Sequence, residues 1–149
     1  MKKILIQLDT DEHPSTFDAI VAHDAGVDEL LSYGGIEPDA VRGLVQSAFF
    51  TRAPKDLSSM AVWVGGSSVG AGEKVLEQVK KAFFGPFKVS VMLDSNGCNT
   101  TAATAVARLA KEIDLSGRRV VIVGAGAVGL RAAAGRPRRT RREEDPDPA

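Results

Sequence analysis

The glycine spacing G-x-G-x-x-G at Gly124, Gly126 and Gly129 constrains the fold of this chain more than any other feature. It directly follows the run 118–123, which ends in four apolar residues and is predicted to be a buried strand. In a strand–turn–helix unit the first glycine permits the tight turn, the second lets the backbone approach a pyrophosphate, and the third allows close helix packing. Free N–H groups at the helix start face the anion. The motif predicts the first strand and glycine turn of a Rossmann domain that binds a dinucleotide.

The end of the chain lacks the pattern that would continue such a domain. From Arg131 onward the only apolar side chains are alanines and prolines, and six arginines precede four acidic residues. A Rossmann unit needs an apolar helix face and a second strand carrying an acid for the ribose. Residues 135–149 are therefore predicted to be a disordered charged tail. One interpretation is a basic arm for nucleic acid; the favoured one is truncation or a frameshift that replaced the rest of a larger enzyme.

Composition excludes several classes of protein. The formal net charge is zero and no aromatic stacking residues accompany the tail arginines, so nucleic acid is not an expected partner. No apolar run reaches the length of a membrane span, so no membrane partner is expected either. The single cysteine, Cys98, excludes an internal disulfide and fits a reducing cytoplasm.

Strand-like and helix-like segments alternate along the chain. We predict strands at 3–8, 61–64 and 87–93, and helices starting at Pro14 and spanning 38–50, 71–84 and 100–113. The first helix has an S-x-x-D capping box at Ser15 and Asp18. Its predicted inner face is formed by Phe17, Ile20 and Val21, whereas 26–35 stays unassigned. The pattern predicts an α/β fold with a mainly parallel sheet and helices on both faces.

Ligands of parallel sheets bind beyond the carboxyl ends of the strands. The polar or glycine-rich segments 9–13, 65–68, 94–99 and 124–129 fall there. The residues from Asp94 to Thr101 form the densest polar group, which could read a flat heterocycle or simply form a turn and helix cap. Asp9, Asp11 and His13 lack a fixed ligand spacing, so solvated loop charges are favoured there and no metal is predicted.

The block 81–103, KAFFGPFKVSVMLDSNGCNTTAA, together with QLDTD at 7–11, resembles one family. The chain is similar to the amino-terminal part of the bacterial NAD(P)-dependent methylene-tetrahydromethanopterin dehydrogenases of one-carbon metabolism. The resemblance implies a pterin-binding α/β domain, here 1–115, followed by a Rossmann domain of which 116–134 would be the start. It implies hydride transfer from methylene-tetrahydromethanopterin, or methylene-tetrahydrofolate, to NADP or NAD, which gives the methenyl form.

The resemblance also indicates site residues. Asp94, Asn96, Asn99, Thr100 and Thr101 become candidates to face the pterin, with Tyr33 and Asp11 as further candidates. Gly124, Gly126 and Gly129 match the dinucleotide fingerprint, and no catalytic residue is assigned because positioning and the cofactor would carry the reaction. Homo-oligomerisation of the full-length enzymes stays open. A non-catalytic pterin-binding or vestigial fragment is the alternative to an active oxidoreductase.

Overall fold

The computed structural model describes residues 1–135. The strands are β1 (Ile4–Asp9), β2 (Glu29–Tyr33), β3 (Met60–Gly65) and β4 (Ser90–Leu93). The helices are α1 (Thr16–Asp24), α2 (Val41–Phe49), α3 (Val69–Ala82), α4 (Cys98–Glu112) and α5 (Ala127–Ala134), with short 3-10 helices at Pro54–Ser59 and Ser95–Gly97. The chain divides into two compact units after Asn99, inside α4. The predicted domain boundary at residue 115 stays a prediction.

The first unit is built on a four-stranded parallel sheet with the order β2-β1-β3-β4. Leu8 in β1 pairs with Tyr33 in β2 and Val64 in β3, and Val64 pairs with Leu93 in β4. The parallel α/β architecture is therefore confirmed. The segment left unassigned in the sequence contains β2, an edge strand with mostly exposed side chains, which explains why it carries no strong apolar pattern.

The hydrophobic core lies between one face of the sheet and helices α2 and α3. Alternate residues of β1 and β3 supply the sheet side, as side chains on a strand alternate between its two faces. The helices supply stripes at helical spacing, as their periodicity predicted. The buried members are Ile6, Leu8, Met60, Val62 and Val64 from the strands, Val41, Val45 and Phe49 from α2, Val75, Val79 and Ala82 from α3, and Ile36 and Leu57 from the connecting segments.

Helix α1 lies on the opposite face, where the side chain of Gln7 points away from the core residues Ile6 and Leu8 and donates to the Ser15 carbonyl. The predicted inner face of α1 is wrong. Phe17 is 75% exposed and Ile20 57% exposed, and Ala22 is the buried residue of the helix. The reason is that polar contacts fix the start of α1, as described below, and these contacts set which side of the helix meets the sheet.

Residues 118–123 do not form a strand, so this prediction is wrong for the structure described. A strand exists through hydrogen bonds to a neighbour, and no described residue pairs with this segment. In a complete Rossmann sheet the first strand is an interior one, flanked on both sides. The glycine turn and α5 that follow do form. The predicted disorder of 135–149 concerns residues that, from 136 onward, lie outside the described part.

Candidate functional site

The candidate site lies at the carboxyl edge of the sheet in the first unit. Because the strands run parallel in the order β2-β1-β3-β4, their last residues stand side by side as Tyr33, Asp9, Gly65 and the residue after β4, Asp94. Gly65 has no side chain, and a methyl group there would lie 3.1 Å from the Asp9 carboxylate. Ligands of parallel sheets bind beyond the edge that these residues form.

Asp9 holds the loop that follows β1. It is fully buried, and its carboxylate accepts from the N–H of Asp11 at 2.9 Å and the N–H of Ser15 at 3.0 Å. A buried carboxylate requires such partners, because an unpaired one would be strongly disfavoured. The interpretation of Asp9 as a solvated loop charge is therefore wrong. Its carboxylate instead shapes the loop that carries Asp11 and the start of α1.

The capping box at the start of α1 is only half formed, and this places Asp18 in the site. The Ser15 hydroxyl accepts from the Asp18 N–H at 3.2 Å, as predicted. The reciprocal bond is not made, since the Ser15 N–H is taken by Asp9. The Asp18 carboxylate reaches over Gly65 instead: a methyl group there would lie 3.5 Å from its Oδ2 and 3.1 Å from that of Asp9.

The environment of Asp18 favours its protonated form. Burial raises the pKa of the Asp18 carboxyl above its ordinary value, and the nearby charge of Asp9 raises it further. The hydrogen bond with Ser15 opposes this pKa shift, and the charge of Asp94 adds a smaller increase. The raised pKa means that the Asp18 carboxyl keeps its proton to a higher pH than a solvated aspartate does.

We expect Asp18→Asn to remove a pH dependence from the stability of the protein. A raised pKa means that the folded state binds the proton more tightly, so this contribution is present below the unfolded pKa of about 3.9 and is lost as pH rises through the folded pKa. The free energy of unfolding of the variant, relative to wild type, should therefore rise between pH 4 and 7. Urea titrations across that range measure it, and a relative stability that falls with pH would contradict the assignment.

The loop after β4 is tied to the neighbouring strand ends. The Asp94 N–H donates to the Val64 carbonyl at 3.0 Å, and the buried Ser95 hydroxyl donates to the Gly65 carbonyl at 3.1 Å. The Asn96 N–H donates to the Gly66 carbonyl at 2.8 Å, and Asn96 has a positive φ of 54°. These bonds fix the loop beside Gly65. Asn96 is exposed, so its amide is presented at the edge.

Asp94 has a structural role that is compatible with ligand binding. It is 7% exposed, and its Oδ1 accepts from the N–H of Asn99 at 2.9 Å in the first turn of α4. The Asn99 side chain in turn donates to the Leu93 carbonyl. The capping interpretation of this cluster is therefore correct, and the same bonds hold Asp94 at the edge of the site.

The loops that follow β1, β2 and β3 meet at Asp11. Its carboxylate accepts from both the N–H and the hydroxyl of Ser67 at 2.9 Å, and its carbonyl accepts from Gly35 at 2.7 Å. Gly34 packs so closely on the Glu12 carbonyl that a methyl group would overlap it. Tyr33, which precedes this contact, is 38% exposed at the same edge. Asp11 thus mainly connects these loops through hydrogen bonds, whereas the ring and hydroxyl of Tyr33 are partly exposed at the surface.

The predicted site residues are divided between the two units. The first unit holds Asp94, Asn96, Asn99, Tyr33 and Asp11. The second holds Thr100 and Thr101, which are exposed in the first turn of α4, and the glycine motif. The structure places the first group at the carboxyl edge of the sheet. Asp9 and Asp18, which were not among the predicted site residues, lie there against Gly65. Asp9 could have been found from the sequence, because an acidic residue directly at the end of an apolar strand lies at the edge where ligands bind. No local sequence feature indicates that Asp18 lies in the site.

The glycine motif has the local geometry that a pyrophosphate requires. Gly124 has φ +96°, a conformation that L side chains rarely adopt, and α5 begins directly after Gly126. A methyl group at Gly129 would overlap the Gly124 carbonyl, so this glycine permits the tight return of the helix. The first turn of α5 has no side-chain cap, so its N–H groups can face an anion. These residues fit the pyrophosphate of a dinucleotide.

Two other kinds of site are not present in the described part of the chain. Residues 1–135 contain no group of three or more His, Cys, Asp or Glu side chains arranged to hold a metal ion. Within the same range, no helix is both long and apolar enough to cross a membrane.

The described residues form a parallel α/β unit with carboxyl groups at its strand edge, and a glycine turn of the dinucleotide-binding type follows along the chain. The profile of one α/β family, described as "Methylene-tetrahydromethanopterin dehydrogenase, N-terminal", matches residues 16–96. The chain belongs to this family. The match runs from the start of α1 to Asn96 and so includes Asp18, Tyr33, Gly65 and Asp94.

Two curated relatives come from Methylorubrum extorquens strain AM1. The chain is 50% identical to the "Bifunctional protein MdtA" over 124 residues, which cover 82% of this chain and 43% of the relative. It is 34% identical to the "NAD(P)-dependent methylenetetrahydromethanopterin dehydrogenase" over 139 residues, covering 89% of this chain and 47% of that relative. The chain thus spans slightly less than half the length of the curated relatives it matches.

Proposed function

We propose that this chain forms the pterin-binding part of a methylene-tetrahydromethanopterin dehydrogenase and contributes the pyrophosphate turn of its dinucleotide site. The observation that carries the proposal is the Asp94 carboxyl at the end of β4, beside Gly65, over whose bare backbone the carboxyls of Asp9 and Asp18 meet. A pterin ring presents an amino group and a ring N–H side by side, and both are hydrogen-bond donors. A carboxylate, which has two acceptor oxygens, is the matching partner.

In this proposal the residues of the chain bind and orient the pterin, and no side chain has to transfer a proton. Asp94 and the exposed amide of Asn96 would contact the polar edge of the ring, while the exposed ring of Tyr33 would contact its face. Holding the methylene carbon in line with an acceptor is sufficient, because orientation supplies much of the rate enhancement. When bound, the nicotinamide of NADP or NAD accepts the hydride. The NAD(P)-dependent relative supports this choice of cofactor.

The test compares Asp94→Ala with Asp94→Asn. Both remove the charge that would bind the pterin donors, but asparagine keeps an oxygen that can cap α4. We expect both variants to weaken tetrahydromethanopterin binding by about 1–3 kcal/mol, as measured by calorimetry. Thermal unfolding should show a loss of stability for the alanine variant only, by about 1 kcal/mol.

Asp24→Ala is the matched control, because Asp24 is an exposed aspartate at the far end of α1. It should leave pterin binding unchanged. If Asp94→Asn binds the pterin as tightly as wild type, Asp94 serves only as a helix cap and the proposed role in recognition is wrong. The predicted cytoplasmic location belongs to the same proposal.

A non-catalytic pterin-binding fragment is the second candidate. The observation that favours it is the exposure of the apolar segment 120–123, which lacks any pairing strand in the described residues. This candidate would be supported if the chain binds the pterin but shows no dehydrogenase activity when it is combined with a second polypeptide. Restoration of turnover would decide against it.

A further inference from the structure

The carboxyl edge of the sheet in the first unit is acidic along its whole length. The segments that begin at the strand ends there are 9–15, 33–40, 65–68 and 94–97. They contain no lysine or arginine, and their acidic residues are Asp9, Asp11, Glu12, Glu37, Asp39 and Asp94. The segments at the opposite edge, 1–3, 25–28, 50–59 and 83–89, carry five lysines or arginines and only two aspartates. The unit is therefore polarised, with its negative end at the candidate site.

Asp18 adds a further acidic side chain from the start of α1, and its charge is the least compensated. Asp9, Asp11 and Asp94 each accept at least one backbone N–H. In the described residues no backbone N–H donates to the Asp18 carboxylate, which reaches over Gly65 next to that of Asp9. Burial raises the pKa of Asp18, and the charges of Asp9 and Asp94 raise it further. The negative potential of the edge therefore extends to Asp18.

A negative edge of this kind favours a cationic ligand over a neutral ligand of the same shape. The acidic side chains are spread along the edge, and no three of them within residues 1–135 are arranged to hold a metal ion. The Thr10 hydroxyl oxygen is buried against Gly66 and has no hydrogen-bond partner in the described part of the chain. Such a group marks an unsatisfied polar position at the same edge. The edge therefore suits an organic cation that has polar groups of its own.

Hydride removal converts the proposed substrate into such a cation. The C–H bond of the methylene group breaks, and its electron pair leaves with the hydrogen to the nicotinamide. The lone pair of an adjacent nitrogen then forms a C=N bond, so the methenyl product carries one positive charge that two nitrogens share. The methylene and methenyl forms have similar shapes and differ mainly by this charge.

We propose that the acidic edge makes this unit select the cationic methenyl form of the pterin over the neutral methylene form, and that Asp18 is a specificity-determining residue for this choice. The proposal rests on the proposed function, because it concerns the same pterin site. The same charges also lower the barrier to hydride loss, since positive charge develops on the ring as the hydride leaves.

The test measures the Kd of each form for the 149-residue chain by calorimetry. We expect the methenyl form to bind at least about tenfold more tightly than the methylene form, a difference of about 1.4 kcal/mol. Most of the acidic residues at the edge are in contact with solvent, so the ratio of the two Kd values should fall as the salt concentration rises.

Substitutions at Asp18 test its share of the selectivity. Asp18→Asn removes one charge with little change of shape and should lower the ratio about fivefold, the effect of one partly screened charge near the ligand. Asp18→Glu keeps the charge and should keep most of the selectivity. Asp24→Asn is the matched control, because Asp24 is exposed on the same helix about 9 Å further along its axis. It should change the ratio by less than about twofold, since salt screens a charge at that distance.

The outcomes separate this inference from the proposed function. Equal affinity for the two forms overturns the inference and leaves the proposed pterin site intact. An unchanged ratio in a folded Asp18→Asn variant, or a ratio that salt does not alter, also overturns it. If the chain binds neither form, the proposed function is wrong, and the inference that rests on it is wrong as well.

Discussion

Titration of NADP or NAD into the 149-residue chain alone is expected to reveal no binding tighter than about millimolar, or about −4 kcal/mol. The glycine turn supplies N–H groups for the pyrophosphate. The described residues contain no second Rossmann strand with an acid for the adenosine ribose. Most of the contacts that give a dinucleotide its affinity are therefore missing.

The same reasoning predicts no measurable dehydrogenase activity for the chain alone, even with saturating pterin. Calorimetry with either nucleotide, and absorbance of the reduced nicotinamide, are the measurements. Completion of the domain by the uncovered part of the relative should raise nucleotide affinity into the micromolar range and restore turnover together. Micromolar binding by the chain alone would mean that residues 136–149 or a second copy complete the site.

Gly66→Ala is expected to destabilise the protein by about 2–5 kcal/mol and to weaken pterin binding. Gly66 has φ +105°, which costs any L side chain about 1–2 kcal/mol. A methyl group there would overlap the Thr10 hydroxyl and lie 3.0 Å from the Thr10 backbone nitrogen, so Thr10, the residue that follows β1, must shift. The Gly66 carbonyl also accepts the Asn96 N–H, and a shift would loosen the loop that presents Asn96.

The variant Gly26→Ala separates the cost of a positive φ from the cost of the contact with Thr10. Gly26 has a similar φ of +87°, but no atom lies within 4 Å of a methyl group placed there. This control should therefore lose only about 1–2 kcal/mol of unfolding free energy in urea and bind the pterin as wild type does. If the two alanine variants are equally destabilised, the contact between Gly66 and Thr10 contributes nothing. If pterin binding survives in Gly66→Ala, the loops around Gly65 are not the binding surface.

The regular core could be predicted from the sequence because its signals are local. The apolar positions of α2 and α3 recur at helical spacing, and the structure buries those positions against the sheet. Strands β1 and β3 read as short apolar runs that end in polar or glycine-rich segments, and these segments lie at one edge. The block around Asp94 was sufficient to indicate the family that the profile match shows.

The site itself needed the tertiary structure. Asp18 could be read only as part of a capping box, because nothing in the sequence states that Asp9 takes the Ser15 N–H and leaves the Asp18 carboxylate to reach over Gly65. The same contacts turned Phe17 outward, against the apolar pattern of α1. Which carboxylates meet is decided by the order of the strands, which is a property of pairing between distant segments.

Residues 118–123 also show that the sequence alone does not decide whether a predicted strand forms. Their composition specifies a strand, and the glycine turn after them forms from local backbone preferences alone, with Gly124 in a left-handed conformation. A strand, however, is completed by hydrogen bonds to a neighbour, and no neighbour exists in the described residues. The sequence by itself therefore determined the helices, the turn and the buried core strands, whose signals are local. Only the tertiary structure decided the edge strand, the carboxylates of the site and the exposed segment, because each depends on which distant segment lies beside it.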